Sequence, residues 1–140
     1  MIKKVLLLIV ITLSVSGCSK REEKFELFSA ESFAYSMDNG WELNVTVRTK
    51  GFEQKENNNN FYARLSYYTN LQTPEGQHVN KISSGIINKS ESEKILEIPI
   101  ESQIKIDSTY ETGNYKIIFY VKDELTGKEI SIESVFELSR

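Results

Sequence analysis

In 140 residues the chain has one cysteine, one histidine, two prolines and one tryptophan. With Cys18 as the single thiol, the fold cannot close an internal disulfide or assemble a thiolate metal cluster. His78 alone cannot supply the several imidazoles that metal sites recruit. A Ser-His-Asp arrangement would have to use it, yet no Gly-x-Ser-x-Gly elbow presents a serine. His78 therefore reads as a solvated residue beside a turn. Phosphate-cradling glycine loops are missing too, and no block of lysine or arginine marks a nucleic-acid surface. The expectation is a non-enzymatic domain with no metal, no cofactor and no nucleic-acid partner, held together by its apolar core alone.

What is present begins at the first residue. Lys3 and Lys4 precede an apolar run, Val5–Val15, and then Ser16, Gly17 and Cys18. As a helix the run would span about 17 Å, well short of the roughly 30 Å of a bilayer core. A basic start followed by a short apolar stretch and small residues is the layout of a secretory signal. Val15-Ser16-Gly17-Cys18 resembles the lipobox of bacterial lipoproteins. The resemblance implies cleavage before Cys18, acylation of its sulfur (palmitate or a similar chain) and anchorage to the membrane through that lipid. It also implies a place in the bacterial cell envelope, on the extracytoplasmic side. Ser19, where an inner-membrane retention signal would have Asp, favours the outer membrane if the host has two. Two or more acyl chains anchor stably, because each buried CH₂ contributes about 0.8 kcal/mol.

The expected organisation is a signal peptide over 1–17, an acylated cysteine with a short tether over 18–24, and one domain over 25–140. Removing 1–17 takes two lysines with it and leaves 15 basic against 20 acidic side chains, a formal −5. The remaining 123 residues are enough for one domain with a real core.

Within the domain, a strand is expected over Phe33–Met37. Asp38-Asn39-Gly40 follows as a hairpin signal, since Asn and Gly tolerate positive φ. Trp41, Leu43, Val45, Val47 and Thr49 alternate with polar residues, the pattern of a half-buried strand. Trp41 reads as a core cap rather than a ligand platform. Gly51–Asn60, ending in four asparagines, reads as a mobile loop. Phe61–Gln72 alternates again, and Thr73-Pro74-Glu75-Gly76 has the residue order of a type I turn. Residues 77–92 fit neither period, and one or two short strands are expected around Gly85. In Lys94–Asp107 the even positions Leu96, Ile98, Ile100, Ile104 and Ile106 are apolar. Pro99 lacks a ladder donor, which places that strand at an edge, or bulged or broken there. Tyr115–Lys122 and Lys128–Leu138 complete the pattern, joined by a turn at Asp123–Gly127. Asp123 and Glu124 could hold calcium weakly, but a turn aspartate is the simpler role.

These turns and short strands, with no helical period, predict an all-β fold: an antiparallel β-sandwich of about seven strands after the N-terminal signal helix. Glu111-Thr112-Gly113-Asn114-Tyr115 resembles the tyrosine corner of immunoglobulin-like and fibronectin-III-like domains. That likeness implies that the Tyr115 hydroxyl bonds back to the backbone just upstream. It also implies that strands 61–72, 115–122 and 128–138 share a sheet. The alternation would then turn Tyr62, Tyr68, Ile118, Tyr120 and Val135 outward as one exposed patch, the candidate binding surface.

The leading functional expectation is an envelope lipoprotein whose immunoglobulin-like domain binds an envelope protein or polymer, or has a structural role. One alternative is an envelope enzyme such as a glycan hydrolase, drawing a paired acid and base from the 20 carboxylates. Another is an inhibitor or chaperone-like module that offers a strand edge.

Overall fold

The computed structural model describes residues 23–140. The expected signal segment, Cys18 and the expected tether up to residue 22 lie outside the described residues. The described residues form eight strands: β1 (Glu26–Met37), β2 (Gly40–Lys50), β3 (Lys55–Asn57), β4 (Asn60–Gln72), β5 (His78–Glu91), β6 (Ile98–Asp107), β7 (Gly113–Asp123) and β8 (Glu129–Leu138). All pairings are antiparallel and no helix occurs among the described residues. A three-stranded sheet has the order β1-β2-β6. The five-stranded sheet has β4 and β7 at its centre, β8 beyond β7 and β5 beyond β4. Both Lys55 of β3 and Ser90 of β5 pair with Tyr62, so β3 takes the edge of β4 that β7 leaves free.

The two sheets share one core. Leu43, Val45 and Val47 from β2 and Ile98 and Ile100 from β6 meet Leu65 and Leu71 from β4 and Ile117, Phe119 and Val121 from β7. Each such side chain contributes about 1.5–3 kcal/mol on burial. Trp41 is buried, and its Nε1–H donates to the Ser139 carbonyl at 2.9 Å. The buried Thr49 hydroxyl donates to Ile98 O at 2.9 Å. Where β5 nears β6, a hydroxyl chain crosses between the sheets: Thr69 to Ser83 at 2.5 Å, then Ser102 to Ser83 at 3.0 Å. At the other seam β1 lies beside β8 with small residues inward, and the Ser32 and Ser134 hydroxyls meet at 2.6 Å.

Several local expectations are corrected. The first strand begins at Glu26, seven residues before Phe33, because a bulge between Phe28 and Glu31 hides its alternation. The β1–β2 turn is Asp38-Asn39, and positive φ falls on Gly40 rather than on Asn39. Gly51–Asn60 is not a structureless loop. Asn58 and Asn59, with φ of 48° and 64°, form the two-residue turn that lets β3 fold back on β4. Residues 78–91 form one strand, with Asn80-Lys81-Ile82 bulged out opposite Asn70. Leu96 precedes β6 and is exposed, while Ile95 is buried in its place. Pro99 does sit on an edge strand, since among the described residues β6 pairs only with β2.

The contacts fix the two poles of the molecule. At one, the buried Asp123 carboxylate, ending β7, accepts the backbone N–H of Glu53 after β2. At the other, Trp41 at the start of β2 reaches Ser139 after β8. β1 and β8 therefore run side by side in the same direction. The Glu26 end of β1 lies at the Asp123 pole and the Leu138 end of β8 at the Trp41 pole.

Candidate functional site

The outer face of the five-stranded sheet carries the residues that the alternation turns away from the core. Register decides which of them meet. Tyr68 and Tyr120 are direct partners across β4 and β7, and their rings stack at 4.6 Å between centroids and 10° between planes. Such a pair contributes about 0.5–1.5 kcal/mol beyond its buried area. The other face of Tyr68 is covered by the Lys81 ammonium, 5.3 Å from the ring centroid. The Tyr68 hydroxyl donates to Glu129 Oε1 at 3.0 Å. That bond, then partial burial and the Glu129 charge, push the ionisation of Tyr68 above the ordinary value for tyrosine. Around this stack lies an open groove of about 550 Å³, whose lining includes Ser66, Ile86, Lys122 and Glu129.

The remaining patch candidates do not join it. Ile118 is buried, not exposed: it sits on the central strand, flanked by Asn70 and Glu133, with the 3.2 Å Lys116–Glu133 ion pair beside it. Tyr62 is six residues from Tyr68 along β4, about 20 Å away. It bonds instead to Asn88 Oδ1 at 3.0 Å. Val135 is 65% exposed but pairs with Lys116, four residues from Tyr120 and so about 13 Å along the sheet. The expected five-residue patch thus reduces to the Tyr68–Tyr120 pair.

Two neighbours replace the lost members. Ile86 is 60% exposed and pairs with Ser66, one step from the stack. Lys81 comes over Tyr68 because it sits in the β5 bulge with φ of 51°, its N–H donating to Asn70 Oδ1 at 2.9 Å. Both lie in the segment where no period could be read. The bulge is the cause, since its three residues stand opposite Asn70 alone and break the alternation between Val79 and Ser83. Gly85 adds a further constraint, because a Cβ there would come within 2.6 Å of the Tyr67 ring on the inner face.

The Tyr115 hydroxyl donates to the Glu111 carbonyl at 2.6 Å, and its ring stacks on Phe136 at 5.7 Å. His78 is exposed at the start of β5. Asp123 is fully engaged, with Glu53 N–H on one oxygen and Leu125 N–H on the other at 2.8 and 2.9 Å. Among the described residues, no three His, Cys, Asp or Glu side chains gather as a metal site requires.

No family model and no curated protein matches the chain. Among solved structures it is similar to a family 123 glycoside hydrolase from Clostridium perfringens, described for the hydrolysis of glycolipid glycans, at 14% identity and a TM-score of 0.50. The match covers 77% of this chain and 22% of that one, so this chain spans less than a quarter of the hydrolase. At that identity the likeness is one of fold.

Proposed function

We propose that the chain is a lipid-anchored protein of the bacterial envelope whose immunoglobulin-like sandwich is a non-enzymatic binding module. The lipid on Cys18 holds it to the membrane, and the Tyr68–Tyr120 platform meets an envelope protein or polymer. The stacked tyrosine pair carries the reading: it lies on an uncovered sheet face beside the exposed Ile86, between Lys81 and Lys122. Apolar and aromatic groups with a polar rim are characteristic of protein-binding surfaces. Supporting the immunoglobulin-like assignment are the order β4-β7-β8 with β7 central, the β1-β2-β6 sheet opposite, and the Tyr115–Glu111 bond.

A glycan hydrolase needs two carboxylates free to act as acid and base. The two nearest the groove are occupied, Glu129 by the Tyr68 hydroxyl and Glu124 by the Ser66 hydroxyl at 2.5 Å. This favours binding over hydrolysis. A strand-edge module is the second reading, and the outer edge of β5 favours it: 14 residues long, it pairs with no other strand among the described residues.

Two experiments test the proposal. Labelling cells with a clickable palmitate analogue should mark the wild type and not Cys18→Ala, and equal labelling of both removes the anchor. A membrane pull-down with Tyr68→Ser/Tyr120→Ser should lose partners that the wild type retains. If that variant keeps them all while Ile86→Pro loses them, the edge of β5 is the binding element.

A further inference from the structure

Three large exposed apolar groups lie together on the opposite sheet. Phe33, Tyr35 and Met37 are 61%, 57% and 57% exposed and occupy alternate positions of β1. Their partners across the ladder are Asn44, Glu42 and Gly40, none of which can cover them with apolar surface. No strand among the described residues packs on this face. The three side chains form a stripe about 13 Å long, with a spacing of about 6.8 Å. At its Met37 end the stripe runs into a groove of about 540 Å³. Its charged lining is Asp38, Glu42 and Asp107 against Lys105 alone, a formal −2. Glu31, exposed, stands at the other end of the stripe. Asn44 adds an acceptor: its Oδ1, across from Phe33, is buried without a donor.

We propose that this face is a second docking surface, for an extended cationic protein segment that carries apolar side chains at alternate positions. Such a segment repeats every second residue at the spacing of the stripe. Its lysines or arginines would meet the carboxylates at both ends. Charge argues against the two other obvious occupants. A second copy of the chain would bring carboxylates against carboxylates, and an anionic lipid surface would be repelled for the same reason. Met and aromatic residues at the centre of a charged rim are the composition expected of a protein interface.

The test uses the full chain in phosphatidylcholine nanodiscs, with empty discs as reference. The probes are a fluorescent peptide of alternating lysine and leucine and its glutamate–leucine counterpart. The lysine peptide should bind the wild type and the glutamate peptide should not. Phe33→Ser/Met37→Ser should weaken binding about tenfold or more. Asp38→Lys, on the exposed turn where folding is not at stake, should weaken it as well. Glu93→Lys, at the far pole, should leave it unchanged, as should Tyr68→Ser/Tyr120→Ser. Equal binding of both peptides, or full affinity in Asp38→Lys, overturns the proposal. So does a dimer in sedimentation that Phe33→Ser dissolves, since the occupant would then be a second copy.

Discussion

The Asp123 carboxylate accepts the Glu53 N–H at 2.8 Å and so ties the β7–β8 turn to the connection after β2. Its second oxygen takes the N–H of Leu125, within its own turn. The side chain is 1% exposed, so neither bond is easily replaced by water. Asp123→Ala should lower stability by about 3 kcal/mol, since hydrogen bonds to a charged group contribute about 1.5–3 kcal/mol each. Asp123→Asn, which can still accept one of them, should lose less. Urea denaturation of both variants decides, and a loss under about 0.5 kcal/mol for alanine would mean that the two turns are held by other contacts.

Tyr115→Phe keeps the ring on Phe136 and removes only the hydroxyl that reaches Glu111. A net loss of about 1 kcal/mol is expected. The same change at the exposed Tyr35 should cost less than about 0.5 kcal/mol. If the two variants are equally stable, the Glu111 contact contributes nothing measurable.

The same residue sets an alkaline limit. Burial, then the Glu75 and Glu111 charges, raise the ionisation of Tyr115 above its ordinary value of 10.0. A raised folded value means that the proton is held more tightly in the folded state. Its contribution is therefore complete below pH 10.0 and is lost as pH rises through the folded value. Stability measured against pH should fall in that range, and the fall should be smaller in Tyr115→Phe. Identical alkaline profiles would show that other groups govern the limit.

Gly85→Ala sets two effects against each other. Strand propensity favours alanine over glycine, and relief of backbone entropy alone would stabilise the protein. The new Cβ, however, would lie 2.6–2.7 Å from Cε1, Cζ and the hydroxyl of Tyr67, whose ring is stacked on Phe119 at 5.2 Å. A destabilisation of about 1–3 kcal/mol is expected. In a Tyr67→Leu background the same substitution should be neutral or stabilising, and a double-mutant cycle reads the difference.

The all-β, antiparallel character was legible because β2, β4 and β7 alternate cleanly, from Trp41–Thr49 through Phe61–Gln72 to Tyr115–Lys122. Each buries one face, and a period of two records that directly. What the alternation could not carry was position along the sheet. It turned Tyr62, Tyr68, Tyr120 and Val135 to one side correctly, yet only register separates a stacked pair from residues about 20 Å apart. It also could not show that Ile118, on a central strand, is covered by longer neighbours. The bulges hid the rest. At Phe28–Glu31 one extra residue reverses the parity, and at Asn80–Ile82 two extra residues interrupt the alternation without reversing it. The start of β1, the length of β5 and the contact of Lys81 with Tyr68 were all lost there.

The shared direction of β1 and β8 has a mechanical consequence. A pull applied at the Glu26 end of β1 and the Leu138 end of β8 acts at opposite poles and along both strands. β1 would then slide against β2, and β8 against β7, with every rung of each ladder sharing the load. Neither strand can be unzipped one bond at a time from those two points. If residues before Glu26 tether the domain to a surface and a partner grips it near the C-terminal end of β8, tension meets the fold in its most resistant geometry. Tension taken instead between Glu26 and Lys50, which face each other at one pole, would peel β1 from β2 rung by rung.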